Sequence, residues 1–420
     1  MDVLVIGGGG REHAICAALR KSPRVGKLYC APGNGGISKI AECVGISATD
    51  LDNMAQFAAD AAVGLVVVAP DDPLALGMVD VMEAAGIPAF GPSRNAAIIE
   101  SSKVFSKNLM RKYGIPTAKY EVFDNADAAK GYIRMTGAPI VVKADGLALG
   151  KGVVVAYDTD AALSAVDAIM LDRKFGASGN NIVIEECMTG PEVTVLAFTD
   201  GKTIIPMISS QDYKRALTGD LGPNTGGMGA FCPSPKYTDD IADTCMKTIF
   251  RPTIDAMRSE GRPFKGVLYF GLMLTPEGPR VVEYNARFGD PEAQAVLAML
   301  DADLLDIFEA VLNGRLSEAE INWRDGYACC VVMASGGYPD KYKPGFAISG
   351  LEAISSDFED ITVYHAGTVR SGDSYVTSGG RVLGVTATGA SLQLAALRAY
   401  EGVDQIRFEN AYYRSDIGLL

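Results

Sequence analysis

The sequence predicts a multidomain protein of the α/β and α+β classes that begins with a doubly wound parallel sheet. The chain has 420 residues, which is too long for one ordinary core and suggests roughly two to four domains. Its first hundred residues alternate short apolar runs with amphipathic segments, an order typical of a parallel sheet covered by helices. After Tyr120 the pattern changes, and a third region with Gly-rich turns begins near Trp323.

The predicted elements of the N-terminal region follow one another as strand and helix. Three apolar runs are predicted as buried strands, because helices cover both faces of a parallel sheet. The segments between them place apolar residues on one helical face. The predicted strands are Val3–Ile6, Lys27–Ala31 and Leu65–Ala69, and the predicted helices are Arg11–Lys21, Leu51–Ala61 and Leu74–Ala85.

Two further regions are predicted. The second begins as strand, helix, strand, glycine loop, strand, helix, strand and continues mainly as strands. The third combines short strands with one helix. The predicted features are a flap subdomain at about residues 120–188, one helix near Asp239–Ser259 and two more after Asp290, strands at Cys329–Met333 and Arg381–Thr386, and a helix at Ser391–Tyr400. We predict domain boundaries at residues 1–102, 103–320 and 321–420.

Composition argues against several classes of protein. Hydrophobic residues make up 48% of the chain and charged residues 21%, which is too apolar for disorder. The net charge of −13 argues against a nucleic-acid partner, which needs a basic surface. The eight cysteines form no CxxC pair, so we expect free thiols rather than a zinc site. A signal peptide and apolar runs of about 18 residues are missing from the sequence, which predicts a soluble cytoplasmic protein without a membrane partner.

The segment Val281–Glu292 is predicted as a strand with one chemical face. Successive strand side chains point to opposite sides, so Glu283, Asn285 and Arg287 share one face and apolar residues from Val282 onwards share the other. A carboxylate and an amide oxygen at this spacing suit a hard cation such as Mg²⁺, and an arginine can bind phosphate or carboxylate oxygens. The same alternation is also typical of a half-buried antiparallel strand with a solvated face.

Lys143 ends an apolar strand and precedes a loop with three glycines. An unpaired buried ammonium is costly, so Lys143 should have an anionic partner. The loop residues Gly146, Gly150, Lys151 and Gly152 allow close backbone approach to phosphates, although their spacing is not that of a Walker A motif. We interpret the loop as a flap that closes on phosphates, and the alternative is a mobile hairpin tip.

Three other segments suggest ligand contacts. The Gly7–Gly10 loop opens a helix, so its amides could hold a phosphate, although it departs from the GxGxxG pattern. The strand Ile182–Met188 ends in two carboxylates and could present its backbone to an adenine-sized edge. The long polar segment 209–230 contains Asp212 and Lys214, which could bind a zwitterion and a phosphate. A tight turn, a solvated strand end and a solvated loop are the respective alternatives.

No Ser-His-Asp set or nucleophile elbow is present in the sequence, which has only two histidines. The combination of lysines, a glycine flap and a cation-binding strand favours phosphoryl transfer, which needs positioning and charge neutralisation more than a protein nucleophile.

In the order of these motifs the chain resembles the phosphoribosylamine–glycine ligase family of the ATP-grasp superfamily. The resemblance covers nearly all of the chain, and its NTGGMGA and RFGDPE segments are highly specific. The segments that carry it are GGGGREHA at Gly7–Ala14, APGNGG at Ala31–Gly36, KADGLALGKGV at Lys143–Val153, SSQDYKR at Ser209–Arg215, GPNTGGMGA at Gly222–Ala230, EYNARFGDPE at Glu283–Glu292, SGGYP at Ser335–Pro339, HAGT at His365–Thr368 and GGRVLGVTA at Gly379–Ala387.

The resemblance implies an N-terminal substrate domain, an ATP-grasp core with a flap subdomain, and a small C-terminal α+β domain. It implies that ATP, glycine and 5-phosphoribosylamine give ADP, phosphate and glycinamide ribonucleotide, through glycyl phosphate, in purine biosynthesis. It further implies Mg²⁺ or Mn²⁺ as the cofactor ion, small molecules as the only partners, and a monomer or a weak homo-oligomer.

The resemblance also assigns roles to individual residues. Glu283 and Asn285 are expected to hold the metal ion, and Arg287 is expected to neutralise the transferring phosphoryl group, with Lys143 and Lys151 as further catalytic cations. The implied ATP-binding residues are Lys103, Lys143, Gly146, Gly150, Lys151, Gly152, Glu185, Glu186, Cys187 and Glu192. The candidate substrate-binding residues are Gly8, Gly9, Gly10, Asp212, Lys214, Arg287 and Asp290.

Four positions depart from the family pattern. Gly8 stands where Asn is usual, Asp71 where Glu is usual, Tyr213 where His is common and Ser378 where Asn is common. The first two fall on the side expected for phosphoribosylamine. Two other functions are open: a different ATP-grasp carboxylate–amine ligase, and a nucleotide-binding sensor without turnover. The NTGGMGA loop argues against the first, and the intact polar face around Glu283 argues against the second.

Overall fold

The N-terminal region contains a five-stranded parallel sheet. The structure is a computed structural model that describes residues 1–147 and 152–419, except for the side chains of 355–357. Numbered along the chain, the strands lie across the sheet in the order third, second, first, fourth, fifth. This is the predicted doubly wound topology. Its strand order reverses between Val3–Gly7 and Leu65–Val68, which is where open α/β sheets bind ligands.

One predicted helix of this region is wrong. Leu74–Ala85 was predicted as a single helix, but Gly77 adopts a left-handed conformation with φ +96° and separates two helices. The strands are Val3–Gly7, Leu28–Pro32, Glu42–Cys43, Leu65–Val68 and Ala89–Phe90, and the helices are Gly10–Leu19, Leu51–Asp60, Asp71–Leu76, Met78–Ala84, Arg94–Ser101 and Lys103–Tyr113, with a 3₁₀ turn at Ile37–Lys39.

The region from Tyr120 to Glu186 has a separate apolar core and a four-stranded antiparallel sheet. Its element order is the predicted one, with two helices packed on the sheet. In spatial order the strands are Tyr120–Phe123, Ile182–Glu186, Ile140–Ala144 and Val153–Ala156, and the helices are Ala126–Thr136 and Thr159–Val166, the latter continued by a π-helical turn at Asp167–Leu171 and followed by a 3₁₀ turn at Gly176–Gly179.

A second antiparallel sheet forms the centre of the molecule. Its edge strand, Gly278–Asn285, carries a β-bulge, because Val282 has no register partner between the pairs Leu272–Val281 and Gly271–Glu283. Val282 was predicted to lie on the apolar face, but the bulge leaves it half-buried while Val281 and Tyr284 are buried. The strands are Ile204–Pro206, Glu192–Asp200, Lys265–Thr275 and Gly278–Asn285; the helices are Asp239–Cys245, Arg251–Ser259, Glu292–Ala298 and Leu304–Leu312, with a π-helical turn at Met246–Phe250 and a 3₁₀ turn at Leu316–Glu318.

The C-terminal region builds a six-stranded sheet that recruits two strands from earlier in the chain. Gln211–Asp212 and Gly229–Cys232 join it, so the sheet crosses the predicted boundary at residue 320. The remaining strands are Tyr327–Ser335, Arg381–Gly389, Ile361–His365 and Ala411–Tyr412; a small sheet contains Ala347–Ile348, Ser374–Thr377 and Thr368–Ser371, a hairpin pairs Arg215–Leu217 with Leu221–Asn224, and the helices are Leu351–Asp357 and Leu392–Gln405.

The eight cysteines are free thiols, as predicted. Six are buried, whereas Cys43 is exposed and Cys187 is half-buried. None of the described helices is long and apolar enough to cross a membrane.

Candidate active site

A buried ion cluster lies where the flap sheet meets the central sheet. The Nζ atoms of Lys107 and Lys143 are each 3.0 Å from Glu185 Oε2, and all three side chains are almost fully buried. Lys143 also donates to the carbonyl oxygen of Val282 at 3.2 Å, so the bulged edge strand of the central sheet contacts the flap. The anionic partner expected for Lys143 is therefore Glu185.

Lys107 was not predicted as a site residue. It lies four positions after Lys103 on the helix Lys103–Tyr113, and this spacing, which places both side chains on one helical face, could have identified it. Burial lowers the pKa of Lys107 to about 8, even though Glu185 favours the charged form. Burial also lowers the pKa of Lys103, whose Nζ donates to the carbonyl oxygen of Gly146 at 3.0 Å.

The second carboxylate oxygen of Glu185 differs from the first, which both lysines contact. Among the residues that the structure describes, Glu185 Oε1 is buried and accepts no hydrogen bond. A buried acceptor of this kind is costly unless a donor reaches it. Glu185 can therefore accept an N–H group from a bound molecule.

Glu283 lies among cations. Its Oε1 is 3.8 Å from Lys214 Nζ. Burial alone would raise the pKa of Glu283, but Lys214, Lys143 and Lys103 together hold it below its usual value. The carboxylate is thus ionised at neutral pH, and Asn285 follows it on the same, half-buried face of the strand. An ionised carboxylate beside an amide oxygen fits a hard divalent cation.

The described residues contain no group of three or more His, Cys, Asp or Glu side chains arranged to hold a metal ion. A cation held by Glu283 and Asn285 would therefore take its other ligands from water and phosphate oxygens. That is the usual coordination of Mg²⁺ at nucleotide sites.

Arg287 is held by two carboxylates that were not predicted as site residues. Its Nη2 is 2.9 Å from Glu100 Oε1 and 3.9 Å from Asp71 Oδ2. Glu100 Oε2 accepts from the amide of Ala286 at 2.6 Å, which fixes the carboxylate against the strand. Arg287 Nε is buried and has no acceptor among the described residues, so one donor is left for an oxyanion.

Asp212 and Lys214 lie in a group of half-buried charges. Lys214 Nζ is 3.0 Å from Glu192 Oε2. Burial raises the pKa of Asp212 to about 7, although Lys214 lowers it. Burial would lower the pKa of Lys214, but Glu192 and Asp212 raise it well above its usual value. Burial also raises the pKa of Glu292.

A cavity of about 630 Å³ lies between the N-terminal loops and the C-terminal region. Gly8, Gly9 and Asp290 line it, together with Arg381, which was not predicted as a site residue. Arg381 Nη1 donates to the carbonyl oxygen of Asp290 at 2.6 Å, and its Nη2 lies 3.4 Å from the Asp290 carboxylate. Asn34 also lines the cavity and connects its two sides, because its Nδ2 donates to the carbonyl oxygens of Gly8 at 2.9 Å and of His365 at 2.7 Å.

The Gly7–Gly10 loop, whose amides we expect to hold a phosphate, has one amide that is bound within the chain. The Gly9 amide donates to Glu12 Oε2 at 2.6 Å, so this donor is already occupied. A Cβ atom on Gly8 would lie 2.4 Å from the carbonyl oxygen of Gly33, and one on Gly10 would lie 2.4 Å from the side chain of Gln294. Gly8 is therefore required by the close approach of the backbone at Gly33, whereas at Gly10 only the end of the Gln294 side chain would have to move.

The other predicted nucleotide contacts are placed as follows. Glu186 pairs with Arg280 at 3.0 Å and accepts from the Lys119 amide at 2.9 Å, so it stabilises the junction of the two sheets. The carbonyl oxygen of Gly152 accepts from the amide of Ala144 and closes the flap hairpin. Gly150 and Lys151 lie outside the described residues.

A flap sheet that faces a central antiparallel sheet, with lysines and the Glu283–Asn285 pair between them, defines an ATP-grasp enzyme. Family models match the N domain of phosphoribosylglycinamide synthetase at residues 1–100, its ATP-grasp (A) domain at 101–293 and its C domain at 328–420. The chain belongs to the phosphoribosylglycinamide synthetase family.

Relatives and solved structures agree with this membership. Phosphoribosylamine–glycine ligase of Caldanaerobacter subterraneus is 47% identical over 99% of both chains, and that of Rhodopirellula baltica is 48% identical over 99% of this chain and 97% of the relative. The crystal structure of the Thermotoga maritima phosphoribosylamine–glycine ligase matches with a TM-score of 0.87 at 30% identity, covering 99% of this chain and 100% of that chain. A biotin carboxylase domain from Hydrogenobacter thermophilus shares the fold, with a TM-score of 0.73 at 14% identity, covering 98% of this chain and 91% of that chain.

Proposed function

We propose that this chain joins glycine to 5-phosphoribosylamine and converts ATP to ADP and phosphate, giving glycinamide ribonucleotide for purine biosynthesis. Relatives named for this ligase match the chain over nearly its whole length. The observation that carries the proposal is the segment from Glu283 to Asp290. It runs from the lysine cluster, where phosphates would bind, to the cavity with Arg381, so one short segment connects a site for ATP with a site for an amine substrate.

The nucleotide would lie between the flap sheet and the central sheet. Lys103 and Lys143 would bind its phosphates, because Lys143 is buried in this junction, burial lowers the pKa of Lys103, and an anionic ligand favours the charged form of both. Glu185 Oε1, a buried acceptor without a donor among the described residues, would accept a hydrogen bond from the amino group of adenine. The backbone around Cys187 and the carboxylate of Glu192 would border the adenine and the ribose, respectively.

ATP-grasp enzymes use a divalent cation, and here Glu283 and Asn285 would hold Mg²⁺ or Mn²⁺. The ion supplies charge neutralisation of the phosphate oxygens when it is bound. The lowered pKa of Glu283 supports this role, because the ligand must be ionised.

In the proposed first step a glycine carboxylate oxygen forms a bond to the γ-phosphorus of ATP, and the bond to ADP breaks. The product, glycyl phosphate, has phosphate as a leaving group, which the free carboxylate lacks. Arg287 would donate its Nε–H, which has no acceptor within the described part of the chain, to the transferring phosphoryl group. The carboxylate of Asp212 would bind the ammonium group of glycine beside Lys214.

In the second step the amine of phosphoribosylamine attacks the acyl carbon, phosphate leaves, and the nitrogen loses a proton. The cavity would hold the phosphoribosyl group, with Arg381 on its wall. Glycyl phosphate would hydrolyse in water, so the flap must close during the reaction. No protein nucleophile is required.

The decisive experiment measures ADP release with Mg·ATP, glycine and phosphoribosylamine formed in situ from ribose 5-phosphate and ammonia, with each component omitted in turn. ADP that appears only with all components, together with glycinamide ribonucleotide by mass spectrometry, supports the proposal. Glycine-independent ADP release that depends on another carboxylate would support a different ATP-grasp ligase. Tight ATP binding without ADP under any condition would support a nucleotide sensor.

A further inference from the structure

Arg414 is a buried arginine near the C-terminal end of the described chain. It is 1% exposed and is the largest of the fully buried side chains among the described residues. A buried guanidinium needs several acceptors. Its Nε and Nη2 donate to the two oxygens of Asp416 at 2.8 and 2.6 Å, and its Nη1 donates to Asp220 Oδ1 at 2.8 Å.

Arg414 also contacts the two residues that precede and follow Lys214 in the sequence. Its guanidinium group lies over the ring of Tyr213, 4.8 Å from the centroid, and its Nη1 donates to the carbonyl oxygen of Arg215 at 3.1 Å. The backbone of Lys214 itself is fixed from the other side, because its carbonyl oxygen accepts from the amide of Thr225 at 2.7 Å.

Residues 414–418, which we name the C-terminal clasp, make further contacts with the segment around Lys214. The Ser415 amide donates to Thr218 Oγ1 at 3.1 Å, and Asp416 Oδ2 accepts from the Gly219 amide at 3.0 Å. The Gly418 amide donates to the hydroxyl of Tyr213 at 3.2 Å. The clasp therefore contacts the hairpin that follows Lys214 and the residue that precedes it.

We propose that Arg414 is a positioning residue that sets Lys214 in the ligase site. Lys214 Nζ lies 3.0 Å from Glu192 and 3.8 Å from Glu283, and both distances depend on the backbone that the C-terminal clasp holds. A displacement of about 1 Å at a reacting centre can reduce turnover about 100-fold. This inference rests on the proposed function, because it takes Lys214 as part of the site.

The chain offers a control in Arg398, a less buried arginine whose side chain is 27% exposed. This arginine donates through Nε and Nη2 to the two oxygens of Asp360 at 2.6 and 2.7 Å, pairs with Glu401, and lies over the ring of Phe358 at 5.0 Å. It thus has the same kinds of partners as Arg414, but they lie in the helix Leu392–Gln405 and in the residues just before the strand Ile361–His365.

The test measures steady-state ligase kinetics of Arg414→Lys, Arg414→Met, Arg398→Lys and Arg398→Met. We expect the Arg414 variants to lose about tenfold or more in kcat, because lysine retains the charge but cannot bind Asp416, Asp220 and the Arg215 carbonyl oxygen together. The KM for phosphoribosylamine should change less than about twofold, since its cavity lies elsewhere, and the Arg398 variants should keep the wild-type kcat. Equal kcat values for the Arg414 and Arg398 variants would overturn the inference.

A double-variant cycle separates positioning from a general structural role. If Arg414 acts through Lys214, Arg414→Met should cause no further loss of kcat in a Lys214→Met background. Multiplying losses would refute the proposal. If Arg414→Met does not fold, the same cycle with Arg414→Lys decides. Failure of the wild-type omission assay would instead refute the proposed function, which keeps the two outcomes distinct.

Discussion

Replacing Glu185 with glutamine removes the carboxylate that both Lys107 and Lys143 contact at 3.0 Å. The side chains of these three residues are at most 5% exposed, so water cannot replace the lost charge. Removing one partner of a buried ion pair costs about 3–5 kcal/mol. We expect the lower end of this range, because Lys107 can release its proton. Its pKa of about 8 lies near neutrality, and one pKa unit corresponds to about 1.4 kcal/mol.

Glu186→Gln is the matched control on the next residue of the same strand. The side chain of Glu186 is 35% exposed and pairs with Arg280 at 3.0 Å. Exposed ion pairs contribute about 0–1 kcal/mol. The two substitutions have the same chemistry, so their difference isolates the effect of burial between two lysines.

The assay is amide hydrogen exchange of the strands Ile140–Ala144 and Ile182–Glu186, because local opening in a multidomain chain is not reported by one global transition. Glu185→Gln should lower the opening free energy of these strands by about 3 kcal/mol, and Glu186→Gln by less than about 1 kcal/mol. Opening free energies that agree within about 1 kcal/mol for the two variants would refute the argument.

Three other perturbations test the site and its surroundings. Arg287→Lys should reduce kcat about 100-fold, because lysine lacks the unpaired Nε–H, with an unchanged melting temperature; near-wild-type ADP release would contradict this role. Glu283→Ala should abolish ADP release at any Mg²⁺ or Mn²⁺ concentration, and calorimetry should show weaker metal binding in the presence of an ATP analogue; unchanged metal affinity would exclude Glu283 as a ligand. Burial lowers the pKa of His13 to about 3 and that of His365 to about 4, below the unfolded value of about 6.5. The free energy of unfolding should therefore be unaffected by these histidines above pH 6.5, and each of them should lower it by up to about 1.4 kcal/mol for every pH unit as the pH drops toward 4. Because both pKa values lie below 5, the two imidazole NMR signals should not titrate between pH 8 and 5.

The local pattern of the sequence predicted the secondary structure where one period dominates. The N-terminal parallel sheet and the element order of the flap follow from apolar runs separated by amphipathic helices, because strand and helix periods depend on neighbouring residues alone. The alternation from Glu283 to Phe288 is also observed. At Val282 it fails, because the bulge depends on how the strand pairs with Gly271 and Leu272.

The predicted helix over Leu74–Ala85 failed for a related reason. Apolar periodicity continues through Gly77, and the pattern alone does not show that its backbone turns left-handed. In the structure, the turn allows the second helix to pack its buried face, Met78, Val79 and Met82, on the sheet. Tertiary packing decided this break.

The sequence by itself identified Lys143, Glu283 and Arg287 as charges that need partners, because they lie at the ends or on one face of apolar strands. The identity of those partners came only from the tertiary structure. Glu185 lies 42 residues beyond Lys143, and Glu100 lies 187 residues before Arg287, as the residue numbers show. Pairing at such separations depends on how the sheets pack, and local propensity carries no information about that packing.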